Sequence, residues 1–256
     1  MLPTIARQLR LDILDTVYSA GFGHIGGSLS SVDILTTLYF SDLFDFNRDH
    51  FVLSAGHLCL TLYAVLAERG KIQKELLSTY AQLGSPLQGH VSVDVPGVEY
   101  SSGSLGQGLS FAAGLALGDP ENYSVCLTTD GEHNEGQTWE AVMFASKFRL
   151  NNLINIVDLN GQQIGGSTVD IMPVSDLAAK YNQFGWNVLT VDGHHFEKLV
   201  TAFKKAKQKS TSPVCIIAKT IMGKGISFME NDYHYHDVKD FSESFYLKAK
   251  DELQKS

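Results

Sequence analysis

Two apolar runs, Tyr123–Leu127 and Leu153–Val157, each end in a short polar tip and are joined by one helical stretch, Gln137–Phe148. A strand, helix, strand unit of this size pairs its strands in parallel, which brings both tips to the same edge of a sheet. The first tip reads Thr128-Thr129-Asp130-Gly131-Glu132 and the second Asp158-Leu159-Asn160. A carboxylate and an amide oxygen are hard ligands, suited to Mg²⁺ or Ca²⁺ that bridges a diphosphate. Gly131 has no side chain, so a phosphate can approach the main chain there. Asp-Gly and Asn-Gly are also common turn dipeptides. Their coincidence at both tips favours the ligand reading.

The rest of the chain alternates in the same way. Ile5, Leu9, Ile13 and Val17 mark an amphipathic first helix that stops at Gly21. A second helix is expected over Val32–Leu43, capped by Ser30 or Ser31, and a short strand at Phe51–Leu53 leads through Ser54-Ala55-Gly56-His57 to a third helix ending at Leu66. Lys71–Leu83 has a helical pattern, and Gly84–Ser104 is a long Gly-, Pro- and Ser-rich loop of the kind that is usually functional. Leu105–Leu117 reads as a helix of small residues. Further helices are expected at Asp176–Phe184, Phe196–Gln208 and Ser242–Leu253, with strands at Asn187–Val191 and Val214–Ala218. The pattern predicts a three-layer α/β/α fold with a mainly parallel sheet. A single domain is expected over residues 1–256, with loop and helix extension from about residue 220.

Composition narrows the function. No stretch reaches the roughly 18–20 apolar residues of a membrane span, and residues 1–10 lack a signal-peptide core. A net charge of −8 argues against a general nucleic-acid surface. Any phosphate must then be held locally, by a metal, backbone N–H groups or histidines. Cys59, Cys126 and Cys215 are scattered within apolar runs and read as reduced core thiols of a cytoplasmic protein.

Nine histidines are present, and many sit at glycine-containing loops: Gly23-His24-Ile25-Gly26-Gly27, Gly56-His57, Gly89-His90, Gly193-His194-His195 and Tyr233-His234-Tyr235-His236. Such tips gather at the carboxyl edge of a parallel sheet, which suggests a shared pocket. Zinc spacing is missing, so neutral groups that recognise hydroxyls and assist proton transfer are the better reading.

In this order the motifs resemble the N-terminal, diphosphate-binding portion of transketolase, in the split form where that portion is a separate polypeptide. The resemblance runs from about Ile5 to about Asp237. It rests on Gly23-His24 to Ser30, Phe51–His57, Gln88-Gly89-His90, Ser102–Gly108, Asp130–Ala141, Asn151–Gly161, Val191–His194 and Lys219–Gly225. Three positions depart from the family pattern: Ile25 replaces a proline, Thr129 a glycine, and Asp237 a glycine.

The resemblance implies thiamine diphosphate with Mg²⁺ or Ca²⁺ as cofactors. Asp130, Asn160 and the backbone carbonyl of Gln162 would ligate the metal. Gly131 and Glu132 would lie against the diphosphate, with Gly103, Ser104 and Leu105 towards the thiamine and His57 and His236 near the reaction centre. His24, His90 and His236 would contact the sugar, His24 and His236 moving protons and His90 orienting the donor; of the two candidates in the last loop, His236 is preferred to His234. Glu135 and Glu140 match acidic positions near a dimer axis.

The implied chemistry is reversible transfer of a two-carbon ketol unit from a ketose (phosphate) to an aldose (phosphate), as in pentose metabolism. A separate C-terminal subunit with the pyrimidine-binding domain would complete an α₂β₂ assembly, this chain being inactive alone. The alternatives are a 1-deoxyxylulose-5-phosphate synthase-like or 2-oxoacid dehydrogenase α-type subunit, and a non-catalytic subunit that retains the fold.

Overall fold

The computed structural model describes residues 1–208 and 210–255. In chain order the strands are β1 (Phe22–Gly23), β2 (His50–Leu53), β3 (Ser124–Thr129), β4 (Leu153–Leu159), β5 (Gln162–Gln163), β6 (Gly166–Ser167), β7 (Asn187–Asp192), β8 (Val214–Lys219) and β9 (Val238–Lys239). The helices are α1 (Leu2–Ala20), α2 (Ile25–Phe40), α3 (Cys59–Glu68), α4 (Gly108–Gly118), α5 (Gly136–Lys147), α6 (Thr168–Ile171), α7 (Leu177–Gln183), α8 (Phe196–Ala206) and α9 (Glu243–Lys255). Five strands form one parallel sheet in the order β2-β3-β4-β8-β7.

Side chains alternate across this sheet, as strand geometry requires. Phe51, Val125, Leu127, Ile154 and Ile216 join a core covered by α1, α2, α3, α8 and α9. Val52, Cys126, Val157, Cys215 and Ile217 join the opposite core, under α4, α5 and α7. This is the three-layer α/β/α arrangement expected from the sequence. All three cysteines are buried free thiols. Among the described residues no helix is long and apolar enough to cross a membrane.

Local chemistry sets the helix ends. Gly21 closes α1 in a left-handed conformation (φ 80°), its N–H bonded to Val17 O at 2.9 Å. Asp176 caps α7 by accepting from Ala179 N at 3.0 Å.

Several boundaries differ from the sequence expectation, among them the end of α2 at Phe40 rather than Leu43; three have a clear local cause. Helix α2 begins at Ile25, seven residues before Val32, so Gly26 and Gly27 are helical. Ser30 and Ser31 do not cap it; they bond back to the carbonyls of Gly27 (2.8 Å) and Ser28 (3.0 Å). The stretch Lys71–Leu83 holds only a 3₁₀ turn, Lys74–Thr79, because Tyr80 is extended and turns its ring into the core. Helix α4 starts at Gly108 rather than Leu105, since Gly106 (φ 84°) takes a left-handed turn first.

At the opposite edge of the sheet from the strand tips, His50 links β2 to the long loop. Its Nδ1 faces Glu99 Oε2 at 2.6 Å and its Nε2 faces Asp119 Oδ2 at 3.3 Å, while Glu99 also accepts from Phe51 N. Partial burial works against the charged ring, but the two carboxylates outweigh it and raise the His50 pKa above the usual 6.5. A raised folded pKa stabilises fully below 6.5, and the gain is lost as pH rises through the folded value. We therefore expect His50→Gln to lower the melting temperature more at pH 6 than at pH 9. An equal drop at both would remove the charge from the explanation.

Candidate active site

The two strand tips lie side by side. Thr129 pairs with Asp158 in the β3–β4 ladder, and Asp130 N donates to Asp158 O at 3.2 Å. The Asp130 carboxylate is fully buried and accepts from Gly131 N (3.0 Å) and Gly161 N (2.8 Å). Burial and the neighbouring Asp158 push its pKa up to about 7. The protein thus supplies this carboxylate with N–H dipoles but no cation. Asn160 sits beside it, its Oδ1 accepting from Gln162 N at 2.9 Å. Among the described residues, no three His, Cys, Asp or Glu side chains converge as a metal cage. A carboxylate, an amide oxygen and main-chain oxygens nonetheless suit a hard cation that keeps other oxygen ligands, such as phosphate and water.

Next to these tips is a cavity of about 260 Å³, lined by residues that include His24, His57, His90, His236, Asn160 and Gln163. The ring of His24 is 5.6, 5.7 and 5.9 Å from those of His57, His90 and His236, and His57 and His236 are 5.3 Å apart. Four distant segments converge here. A two-stranded ribbon aligns two of them: Gly23 pairs with Val238, so His24 and His236 emerge next to each other. Gly26 makes room, because a Cβ there would stand 2.7 Å from Tyr235 O.

Burial favours the neutral form of three of these rings, His24, His57 and His236. It lowers the pKa of His24, takes His57 down to about 3 with help from the other three imidazoles, and takes His236 down to about 4. Three buried atoms of the lining, His24 Nδ1, His236 Nδ1 and Gln163 Nε2, have no hydrogen-bond partner in the protein. Buried polar atoms are costly when unpaired, so this cluster fits a polar ligand. Among the described residues, none that lines the cavity is Lys or Arg.

Residues 3–240 match the family model described as transketolase, thiamine diphosphate binding domain. The chain belongs to the transketolase family. It is similar to one of the subunits of apulose-4-phosphate transketolase from Phocaeicola vulgatus, 37% identical over 238 residues that cover 89% of this chain and 85% of that protein. It is also similar to the 6-deoxy-6-sulfo-D-fructose transketolase subunit SqwG of Clostridium sp., 39% identical over 262 residues covering 98% and 95% of the two chains. The solved transketolase of Campylobacter jejuni superposes with a TM-score of 0.90 at 32% identity, over 99% of this chain but 42% of that one. The chain thus spans about two fifths of that longer transketolase. These matches favour transketolase over the synthase-like and dehydrogenase-type alternatives.

This transketolase-family chain places its candidate residues unevenly. His24, His57, His90, His236, Gly103, Leu105, Gly131, Glu132, Asn160 and Gln162 line the cavity, with Asp130 just beneath. Ser104 is exposed and outside the lining. Glu132 is fully buried, and its carboxylate accepts from Ser54 Oγ (2.5 Å), Gly106 N (2.7 Å) and Thr129 N (3.3 Å). It ties the β2 tip, the β3 tip and the 103–107 turn together. Thr129, in place of the family's glycine, lines the cavity and accepts the Glu132 N–H at 3.4 Å.

The remaining histidines lie elsewhere. His234 is exposed and paired with Asp232, His195 is exposed, and His194 bonds to Asp33. Sequence reasoning missed Gln163 and Ile164, which reach the cavity from the β5–β6 hairpin. The only signal was Asn160-Gly161, which marks a turn without telling where its far arm points.

Proposed function

We propose that this chain is the diphosphate-binding subunit of a two-chain transketolase that moves a two-carbon ketol unit between sugar phosphates. The observation that carries this reading is the contact between two strand tips, Asp130 and Asn160, and a cavity into which four histidines converge. The similar length of relatives that are each named as one subunit of a transketolase supports the split form. Asp130, Asn160 and the Gln162 carbonyl would hold Mg²⁺ or Ca²⁺, and the main chain at Gly131 would border the diphosphate. When bound, thiamine diphosphate supplies the electron sink for carbon–carbon cleavage. Glu132 acts by fixing the walls.

The residues of this chain bind, orient and move protons. His24 and His236 exchange protons with the sugar hydroxyl and carbonyl oxygens, as neutral imidazoles near 6 Å apart can do in turn. His90 orients the donor's hydroxymethyl end. The open, apolar Ile164 wall (73% exposed) suits an aromatic ring and a covering partner.

A partner chain with the pyrimidine-binding domain completes the site in an α₂β₂ assembly. Its docking is supported by exposed apolar side chains along α4 and α5 (Phe111, Leu117, Met143, Phe144, Phe148) and after the hairpin (Val169, Ile171, Met172). Co-purification followed by a ketose-to-aldose assay tests the reading, with sugar phosphates of pentose metabolism as the first substrates. Full turnover by the isolated chain, or no ketol transfer by the reconstituted pair, would overturn it. In the active pair, His90→Ala is expected to raise the donor KM about tenfold or more while acceptor KM changes little, since it removes ground-state contact with one substrate only.

A further inference from the structure

One buried polar network lies outside the cavity and is unused by the chemistry above. His194, in the turn between β7 and α8, has a side chain only 13% exposed. Its Nε2 accepts from Ile221 N at 2.8 Å and its Nδ1 meets Asp33 Oδ2 at 2.8 Å. An acceptor Nε2 fixes the tautomer: the proton is on Nδ1 and is donated to Asp33. Asp33, on α2, is gripped in a two-pronged pair by Arg10 of α1 at 3.0 and 2.7 Å. Burial alone would raise the Asp33 pKa, but the hydrogen bond from His194 and the Arg10 guanidinium prevail and hold it below the usual carboxylate range. Arg10 Nε then donates to Lys224 O at 3.1 Å.

The segment held in this way runs from the end of β8 to His236. Thr220 Oγ1 donates to Asp158, the carboxylate that also meets Asn160 Nδ2 at 3.3 Å. Gly223 N donates to Gly26 O at 2.9 Å, and Asn231 N to Met222 O at 3.0 Å. From there the chain turns through Tyr235, whose carbonyl lies against Gly26, and delivers His236 to the cavity. His194 is the only side chain, among the hydrogen bonds of the described residues, that fixes the Ile221 N–H.

We propose that Arg10, Asp33 and His194 form a positioning relay that seats residues 220–236, and so sets His236 against His24. His194 is a positioning residue: it touches neither the cavity nor the proposed metal ligands. The catalytic consequence rests on the reading that His24 and His236 face the sugar. Misplacing a proton-transfer group by about an ångström costs on the order of 100-fold in rate, so a partial shift predicts a loss of roughly tenfold or more.

The test uses the full chain and two variants, His194→Ala and His194→Gln. The glutamine amide can still accept from Ile221 N, whereas alanine cannot. Hydrogen–deuterium exchange of the chain should show at least about fivefold faster uptake across residues 221–236 in His194→Ala, with His194→Gln close to the parent. In the reconstituted enzyme, His194→Ala should lower kcat about tenfold or more and change thiamine diphosphate affinity by less than about threefold, with partial recovery in His194→Gln. Unchanged exchange in His194→Ala overturns the proposal, as does equal impairment of the two variants. If the parent pair transfers no ketol unit, the functional reading fails, and the exchange experiment still decides whether the relay seats the segment.

Discussion

Replacing Asp130 with alanine is expected to weaken Mg²⁺-dependent thiamine diphosphate binding by more than about 100-fold. Changes to groups that merely support a ligand cost roughly 10–100-fold in metal affinity, and Asp130 is the fully buried carboxylate proposed to ligate the cation directly. It also orders both glycine turns, at Gly131 and Gly161, so its loss loosens the diphosphate bed along with the metal. Calorimetric titration of the full chain with its partner, in the presence and absence of Mg²⁺, reads the effect. Asp130→Asn serves as the companion, since an amide oxygen can still accept from one glycine N–H. Parent-like affinity in Asp130→Ala would remove the strand-tip site from the account.

The second large effect is acid lability. His57 and His236 have folded pKa values near 3 and near 4, both depressed chiefly by burial. In the unfolded chain they return to about 6.5. A depressed folded pKa means that the unfolded state binds the extra protons. The folded state therefore has its full advantage above 6.5 and loses it as pH falls towards the folded values. Each pH unit in that window costs about 1.4 kcal/mol per histidine, which amounts to about 2 kcal/mol each by pH 5. Urea unfolding of the apo chain at pH 7, 6 and 5 should show this fall, opposite in sense to the His50 contribution. His57→Gln should flatten the slope by about one histidine's share. An unaltered slope would mean that His57 is protonated in the folded chain.

The fold was legible where local and tertiary signals agree. The β3 and β4 runs are mostly apolar because both faces are covered, and the turn residues that end them are the ones that meet at the candidate site. Helix α2 was not legible at its start, because two glycines oppose a helix by about 1 kcal/mol each. Burial on every side overrides that cost, and the missing side chains admit the Tyr235 carbonyl and the His57 turn. The histidines illustrate the same limit. His24, His57, His90, His194 and His236 look alike in sequence, each beside a glycine or an aromatic, yet one of them bonds to Asp33 and Ile221 instead of facing the cavity. Only the path of residues 220–240 across α2 separates those outcomes, and no periodicity encodes a path. The motif places Glu132 with the cofactor; the structure adds that it lines the cavity and, through three bonds, braces the turns around it.

Among the described residues, the cavity wall carries no lysine or guanidinium group. A sugar seated there, as proposed, would be gripped by short-range, uncharged hydrogen bonds, which mobile ions scarcely weaken. If raising the ionic strength of an assay inflates the Michaelis constant of a phosphorylated sugar, the responsible cations lie outside this cavity, on the rest of the chain or on the proposed partner, and charge substitutions on each would tell which of them meets the anionic tail.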